Sequence, residues 1–173
     1  MSKIVKITRR QVVQAGAAVA ACCSVPGVAF AQRRGAEPTG QTGDIIEVEG
    51  GTSYDLSAVG DGEMVAFKNG DDFIGVVRRT AAQKTAAADN NVSLDLTTDG
   101  ERVQNADYLV VDMTCQHRGC QVGYTGEAEA MFQCPCHRTS FDASGRVLPE
   151  QAKTDESLGV PSYTLSGAMI SFG

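Results

Sequence analysis

The chain has 173 residues, which is enough for one domain and a leader, and its formal net charge is −6. Residues 1–31 contain four basic residues and no acidic ones, so residues 32–173 hold 11 basic and 21 acidic residues and a net charge of −10. A domain this acidic argues against a nucleic-acid-binding protein, because phosphate backbones attract cationic surfaces.

Residues 1–31 are predicted to be a Tat-type export signal or a membrane-anchor helix. Arg9 and Arg10 form a twin arginine ahead of residues 12–31, which carry no charge over about the length of a membrane span. An Ala-x-Ala sequence ending at Ala31 also fits a cleavage site. The pattern predicts export to the periplasmic side of a bacterial inner membrane, anchored if the segment is retained and soluble if it is removed.

The remainder is predicted to be a flexible linker over residues 32–43 and an all-β domain over 44–173. Asn69-Gly70 is typical of a hairpin turn. The residues after it predict an alanine-rich helix at 80–89 and a loop at 90–105. Alternation and β-branched content predict strands at 45–48, 63–68, 73–79, 108–113 and 131–132, and a final hairpin of 162–165 and 168–172.

Every histidine in the chain and every cysteine after residue 31 lies between Cys115 and His137. The sequence reads C-Q-H-R-G-C over 115–120 and C-P-C-H over 134–137. Each segment places one cysteine and one histidine where a single loop can present both to a metal centre. This mixture suits zinc, copper or an iron–sulfur cluster. The remaining cysteines, Cys120 and Cys136, could join the two loops as a disulfide.

Three interpretations of this Cys/His stretch compete. A structural zinc site uses two cysteines and two histidines but leaves Cys120 and Cys136 unexplained. A pair of structural disulfides leaves the spacing of the histidines unexplained. A two-iron, two-sulfur centre in which one iron takes two cysteines and the other takes two histidines uses all six residues.

C-x-H-x-G-C followed by C-P-C-H resembles the two cluster-binding boxes of Rieske proteins. The resemblance implies one [2Fe-2S] cluster per chain and a Rieske-type antiparallel β-sandwich with a small cluster-binding subdomain at about 112–148. One iron would take the cysteines, and the other the histidines, of the implied ligand set Cys115, Cys134, His117 and His137. The resemblance also implies a disulfide between Cys120 and Cys136.

The ligand set implies proton-coupled electron transfer. Neutral imidazoles replace two thiolates, so the oxidised centre is less negative and accepts an electron more easily. Reduction then raises the proton affinity of the outer imidazole nitrogens. His117 and His137 are therefore the predicted catalytic residues, suited to taking a proton and an electron from a hydroquinone.

Flanking stretches, including residues 54–57, 62–68, 76–80 and 101–111, resemble the Rieske subunit of ubiquinol–cytochrome c reductase. This implies a subunit of an oxidoreductase complex that is not catalytic alone. Its implied partners are quinol and membrane-bound cytochrome b and cytochrome c-type subunits. A Rieske oxygenase is disfavoured, because no histidine is left to hold a mononuclear iron.

The second box departs from that subunit, which usually continues with glycine, serine, a variable residue and tyrosine. This chain has Arg138, Thr139, Ser140 and Phe141. By the resemblance, Thr139 keeps the hydroxyl that donates to a bridging sulfide, whereas Phe141 lacks the hydroxyl that donates to a cysteine ligand. Losing a donor destabilises the reduced cluster, so we predict a lowered reduction potential.

Two further departures from the pattern of that subunit point to an alternative function. The Gly-Pro-rich loop that usually covers the cluster is replaced by residues 148–152, and Arg118 stands where an apolar residue is usual. Thr139 and Phe141 also resemble the Rieske small subunit of arsenite oxidase, a periplasmic carrier paired with a molybdenum-containing large subunit. That role, or a free Rieske electron carrier, is the alternative to the quinol-oxidising complex.

Overall fold

The computed structural model of the chain describes residues 3–8, 37–89 and 93–173. These residues form short strands and two short helices, which confirms the predicted all-β class. The strands are β1 (Lys3–Lys6), β2 (Ile46–Glu47), β3 (Thr52–Asp55), β4 (Met64–Asn69), β5 (Asp72–Arg78), β6 (Tyr108–Asp112), β7 (Gly123–Tyr124), β8 (Phe132–Gln133), β9 (Ser140–Phe141), β10 (Tyr163–Ser166) and β11 (Met169–Phe172). The helices are α1 (Ala81–Ala87) and α2 (Asp99–Arg102).

The strands make three sheets. The first has the order β1-β3-β11-β10, the second β2-β4-β5-β6, and the third β7-β8-β9. Most neighbours are antiparallel, as predicted, but β1 pairs with β3 and β2 pairs with β4 in parallel. The chain between the members of each parallel pair is long enough for the crossover that parallel pairing requires.

The second sheet is buried on both faces, which explains the continuous apolar run of β6. Alternate side chains face the first sheet, and the others face the small third sheet. The core shared with the first sheet includes Val65, Phe67, Val76, Val110, Tyr54 and Ile170. The core shared with the third sheet includes Met64, Val77, Leu109, Val111, Phe132 and Phe141.

Local sequence features fix several of these elements. The β4–β5 hairpin turns at Gly70, whose φ of 63° suits glycine, so the predicted hairpin is confirmed. Thr80 and Gln83 cap α1 reciprocally, each side chain accepting from the other's backbone nitrogen. Gly75 lies where a Cβ atom would stand 2.5 Å from the Met113 Sδ, so any larger residue would require the Met113 side chain to move.

Part of the predicted flexible linker is held on the domain. Tyr124 N donates to Thr39 O at 2.8 Å, and Thr42 N donates to Met64 O at 2.7 Å. A Cβ atom on Gly123 would lie 2.6 Å from Thr39 Oγ1, so the glycine permits this close approach. The described residues 37–43 therefore make hydrogen bonds to the domain, and the flexibility of the linker over residues 32–43 stays a prediction. The helix α2 is also a correction, because it lies inside the predicted loop at 90–105.

The predicted N-terminal signal or anchor helix falls mainly outside the described residues, which exclude 9–36. Residues 3–6 form β1 at the edge of the first sheet, and Ile7 is only 3% exposed. Sequence analysis did not predict this strand. Among the described residues, no helix combines the length and apolar character needed to cross a bilayer.

Candidate metal centre

The two Cys/His segments fold into loops with the same backbone hydrogen bonds. Cys115 O accepts from Gly119 N, and Cys134 O accepts from Arg138 N, each at 2.9 Å. The nitrogen of each cysteine donates to the carbonyl five residues later, at 2.9 and 2.8 Å. The fifth residue of each loop has positive φ, 72° at Gly119 and 63° at Arg138. The loops therefore present Cys115 and Cys134 in equivalent places.

Strands on either side set the positions of the loops. The first loop follows β6, and Met113 N, just beyond that strand, donates to Phe73 O at 2.8 Å. Val122 N returns a hydrogen bond to Met113 O at 2.7 Å, which closes the base of the first loop. The second loop connects the paired strands β8 and β9. Both loops thus project from the same small subdomain.

A disulfide joins the two loops between Cys120 and Cys136. The sulfurs of Cys120, Cys134 and Cys136 all lie within 4.8 Å of one another. Since two of them are bonded together, they do not form a three-thiolate metal site. The disulfide leaves Cys115 and Cys134 as the free thiols of the described chain.

These two thiols are buried and in contact, with exposures of 1% at Cys115 and 2% at Cys134. Their mutual hydrogen bond raises the pKa of Cys115 and lowers the pKa of Cys134 to about 6. Backbone amides add to the lowering at Cys134, with contributions from Cys136 and His137. The site thus stabilises a thiolate at Cys134, the form in which cysteine binds a metal.

The two histidine rings lie beside the thiol pair. Their centroids are 4.7 Å apart, and the planes make an angle of 69°. His137 Nδ1 is buried and has no hydrogen-bond partner in the described part of the chain. Desolvation, followed by the charges of His137, Arg118 and Lys153, lowers the pKa of His117. A lowered pKa favours neutral imidazole, the form that binds metals.

This donor set fits a [2Fe-2S] cluster with two sulfur and two nitrogen ligands. Two buried thiols in contact can hold one iron, and two adjacent imidazoles can hold the other. The orphaned His137 Nδ1 is explained if it is a ligand atom, because buried polar atoms otherwise find partners. The structure thus brings together all four residues predicted as ligands.

Thr139, predicted as a cofactor-binding residue, is fully buried next to the second loop. Its Oγ1 accepts from Lys153 N at 3.3 Å, so the hydroxyl keeps its own proton to donate. This contact joins the second loop to Lys153, which follows residues 148–152, the segment that replaces the Gly-Pro-rich loop. Gln151 in that segment has a positive φ of 60°. Sequence reasoning missed Lys153, because nothing in its flanking residues signals contact with Thr139.

Phe141 is fully buried and pairs with Phe132 across the β8–β9 ladder. It also makes an isolated bridge with Val147. The side chain therefore packs in the core of the subdomain and supplies no hydroxyl to the centre.

Buried arginines, also missed in the sequence, hold the segment that follows β9. Arg146 binds Asp142 at 2.7 Å, and both side chains are at most 2% exposed. Arg79 binds Asp99 at 2.6 Å and donates to Ala143 O at 3.2 Å. Sequence alone gives no signal for this burial, because arginine is usually found at the surface.

The sequence profile of the Rieske [2Fe-2S] domain matches residues 51–164. The chain belongs to the Rieske [2Fe-2S] family. Its cofactor is accordingly a [2Fe-2S] cluster, and of the earlier interpretations the zinc and pure-disulfide sites are set aside.

Two named Rieske relatives show how far the similarity extends. The ubiquinol–cytochrome c reductase iron–sulfur subunit of Blastochloris viridis is 34% identical over 168 residues, which cover 94% of this chain and 90% of that protein. The Rieske subunit of the mitochondrial cytochrome b-c1 complex of Schizosaccharomyces pombe is 32% identical, over 69% of this chain and 52% of that protein. The chain thus spans about half the length of its mitochondrial relatives.

A solved Rieske structure is also similar. The plasma membrane Rieske protein of the cyanobacterium Synechocystis PCC 6803 aligns with 62% of this chain and 83% of its own, at 23% identity and a TM-score of 0.41.

Proposed function

We propose that this chain is the iron–sulfur electron-transfer subunit of a quinol–cytochrome c reductase-type complex. The observation that carries the proposal is the similarity to the Blastochloris viridis subunit, which spans nearly the whole of both chains. The geometry agrees, because the two partly buried histidines lie on loops that project from the domain. On this proposal the chain acts only together with its partner subunits.

The residues of this chain would position quinol and manage its proton. A bound [2Fe-2S] cluster supplies one-electron redox chemistry. With Nδ1 directed into the site, His137 has Nε2 left to form a hydrogen bond with a quinol hydroxyl and to hold its proton. His117, in edge contact with His137, is the second candidate for this role. Cys120 and Cys136 fix the relative position of the two loops through their disulfide.

The proposed partners are a membrane-bound cytochrome b, a cytochrome c-type subunit and quinol, on the periplasmic side of a bacterial inner membrane. The support for this location is the twin-arginine pattern of Arg9 and Arg10. The intact mass of the protein in salt-washed native membranes tests it. We expect a mass that includes Arg9 and Arg10. A protein beginning at Gln32 in the soluble fraction would contradict a retained anchor.

A deletion strain tests the quinol-oxidising function. Membranes of a strain lacking this chain should lose ubiquinol–cytochrome c reductase activity, and the wild-type chain should restore it. Cys134→Ser, which removes a ligand thiol, should not restore it, whereas Ser166→Ala, an exposed change in β10, should. Full activity in the deletion strain would overturn the proposal.

The alternative is the small subunit of an arsenite oxidase-type molybdoenzyme, or a free carrier. Thr139 and the buried Phe141 favour it, because they are the residues in which the chain departs from the quinol-oxidising pattern. In that case the deletion strain would lose arsenite oxidation and keep quinol oxidation. The same strain therefore distinguishes the two functions.

A further inference from the structure

Three exposed cations lie around the ligand histidines. Arg118 directly follows His117, and Arg138 directly follows His137. Lys153 lies next to the second loop, since its backbone nitrogen donates to Thr139 Oγ1. We call Arg118, Arg138 and Lys153 the cationic rim.

The rim differs from the other cations of the described chain in having no acidic partners. Seven of the described lysines and arginines form ion pairs, namely Lys3, Lys68, Arg78, Arg79, Lys84, Arg102 and Arg146. The three rim residues form no ion pair within the described residues, and Lys6 is the only other described lysine or arginine without one. Three of the four cations without an ion pair are thus gathered at the two histidines.

The positive charge of the rim is opposite in sign to the net charge of the chain. The net charge is −6, yet residues 113–126 and 130–141, which include both loops, contain no acidic residue. The acidic residues nearest in sequence to the rim are Glu150, Asp155 and Glu156, which lie on either side of Lys153.

Arg138 has a backbone conformation that residues other than glycine rarely adopt. Its φ of 63° lies in the left-handed region, which favours glycine, and the equivalent position of the first loop is Gly119. A large charged side chain in this conformation is strained, so the local fold does not account for an arginine here. A role for its charge at the surface does account for it.

We propose that the cationic rim docks the cluster tip onto an acidic surface patch of the protein that exchanges electrons with it. Opposite charges orient the two proteins at encounter and bring the histidine tip against the partner. A protein is favoured over a lipid surface, because the rim surrounds the ligand histidines, where electron exchange needs close approach of a redox centre. The inference rests on the proposed electron-transfer function and names the chemistry of the partner surface.

The test uses small oxidants of opposite charge with the reduced, cluster-loaded chain. One electron passes from the cluster to hexacyanoferrate(III), giving hexacyanoferrate(II), or to tris(phenanthroline)cobalt(III), giving the cobalt(II) complex. We expect the rate with the anionic hexacyanoferrate to fall several-fold as salt is raised, because salt screens attraction to the rim. The rate with the cationic complex should rise or stay level. The reverse pattern, which the net charge of −6 dictates on its own, would overturn the proposal.

Single variants assign the effect to the rim. Arg118→Gln, Arg138→Gly and Lys153→Gln should each slow oxidation by hexacyanoferrate at low salt about two- to threefold. Lys84→Gln is the matched control, since it removes one positive charge from α1, and should change the rate little. Iron content and reduction potential are measured for every variant, so that a changed driving force is recognised. An equal effect of Lys84→Gln would contradict a local rim.

Competitors identify the class of partner surface. Polyglutamate should slow oxidation of the wild type and have little effect on the triple rim variant. Binding to phosphatidylglycerol vesicles that depends on the rim, without an effect of polyglutamate, would assign the rim to a membrane and overturn the proposal. None of these measurements uses quinol, so failure of the quinol-oxidising function would be recognised separately.

Discussion

Phe141 is the residue whose chemistry bears most directly on the reduction potential. If the tyrosine hydroxyl donates to a cysteine ligand, as the family resemblance implies, Phe141→Tyr adds that donor, and we expect the midpoint potential to rise. A hydrogen bond that favours the reduced form by about 1 kcal/mol corresponds to about 40 mV for one electron. Protein-film voltammetry measures the change.

Phe132→Tyr is the control for this change, because Phe132 lies opposite Phe141 and is equally buried. It adds the same hydroxyl elsewhere in the core and should leave the potential unchanged. An unchanged or lowered potential in Phe141→Tyr would show that the missing hydroxyl does not tune this cluster.

The positive φ of Arg138 predicts that stability will depend unusually on which residue replaces it. Since its φ is 63°, a β-branched side chain should fit badly there, whereas glycine should fit well. We expect Arg138→Val to lower the free energy of unfolding by about 2 kcal/mol and Arg138→Gly to leave it unchanged or raise it slightly. Thermal unfolding of the cluster-loaded protein measures both.

The same pair of substitutions at Arg118, whose φ is not positive, is the comparison. Arg118→Val should be tolerated about as well as Arg118→Gly. Equal tolerance of valine at the two positions would mean that the left-handed conformation of Arg138 is not a constraint in solution.

At the scale of elements, buried ion pairs attach the loop after β9 to α2 and to the end of β5. Asp99 forms an ion pair with Arg79, whose side chain is fully buried, and accepts a hydrogen bond from the Ser144 hydroxyl. Asp99→Ala leaves the Arg79 charge buried without its carboxylate, so we expect a loss of about 3 kcal/mol in the free energy of unfolding. Chemical denaturation measures it.

Asp107→Ala is the matched control, because Asp107 forms an exposed ion pair with Lys84. An exposed pair contributes little, and the expected loss is below about 1 kcal/mol. Similar losses in the two variants would refute a special role for the buried pair.

How well an element was predicted depended on whether its signal was local. Asn69-Gly70 and the alanine-rich run of α1 are local signals, so the hairpin and the helix were predicted correctly. The strand β3 was missed, because its alternation of buried Thr52 and Tyr54 is short and partly polar. The parallel pairing of β1 with β3 and of β2 with β4 depends on contacts far apart in sequence, which periodicity does not reveal.

How well the features of the site were predicted also depended on local sequence signals. The disulfide was predicted correctly, and four candidate ligands could be named, because cysteines and histidines are few and their spacing resembles a known pair of boxes. The ligand roles of these four residues stay a prediction. The contact between Lys153 and Thr139 was not predicted, because Lys153 acts through a backbone nitrogen that any residue could supply. The buried arginines were missed for the corresponding reason, since their carbonyl acceptors carry no sequence signal.

At the scale of the whole molecule, the buried carboxylates predict sensitivity to acid. Burial by itself raises the pKa of Asp99, but hydrogen bonds from Arg79 and Ser144 outweigh it, and the pKa lies below its ordinary 3.8. A depressed folded-state pKa contributes stability that is fully present above the unfolded value and is lost as pH falls through the folded value.

We therefore expect the unfolding temperature to be level near neutral pH and to fall below about pH 4. Asp99→Asn should flatten this fall relative to the wild type, although it lowers the starting temperature. Unfolding temperatures measured from pH 7 to pH 2.5 test this, and parallel curves for the two proteins would contradict it.

Under the proposed function, this chain carries electrons from quinol to a c-type cytochrome. Electron paramagnetic resonance of salt-washed native membranes, with ubiquinol added as the only reductant, tests that claim most directly. We predict the signal of a reduced [2Fe-2S] cluster with histidine ligands, and its absence in a strain carrying Cys134→Ser. A cluster that stays oxidised with ubiquinol but is reduced by arsenite would contradict the account and establish the alternative.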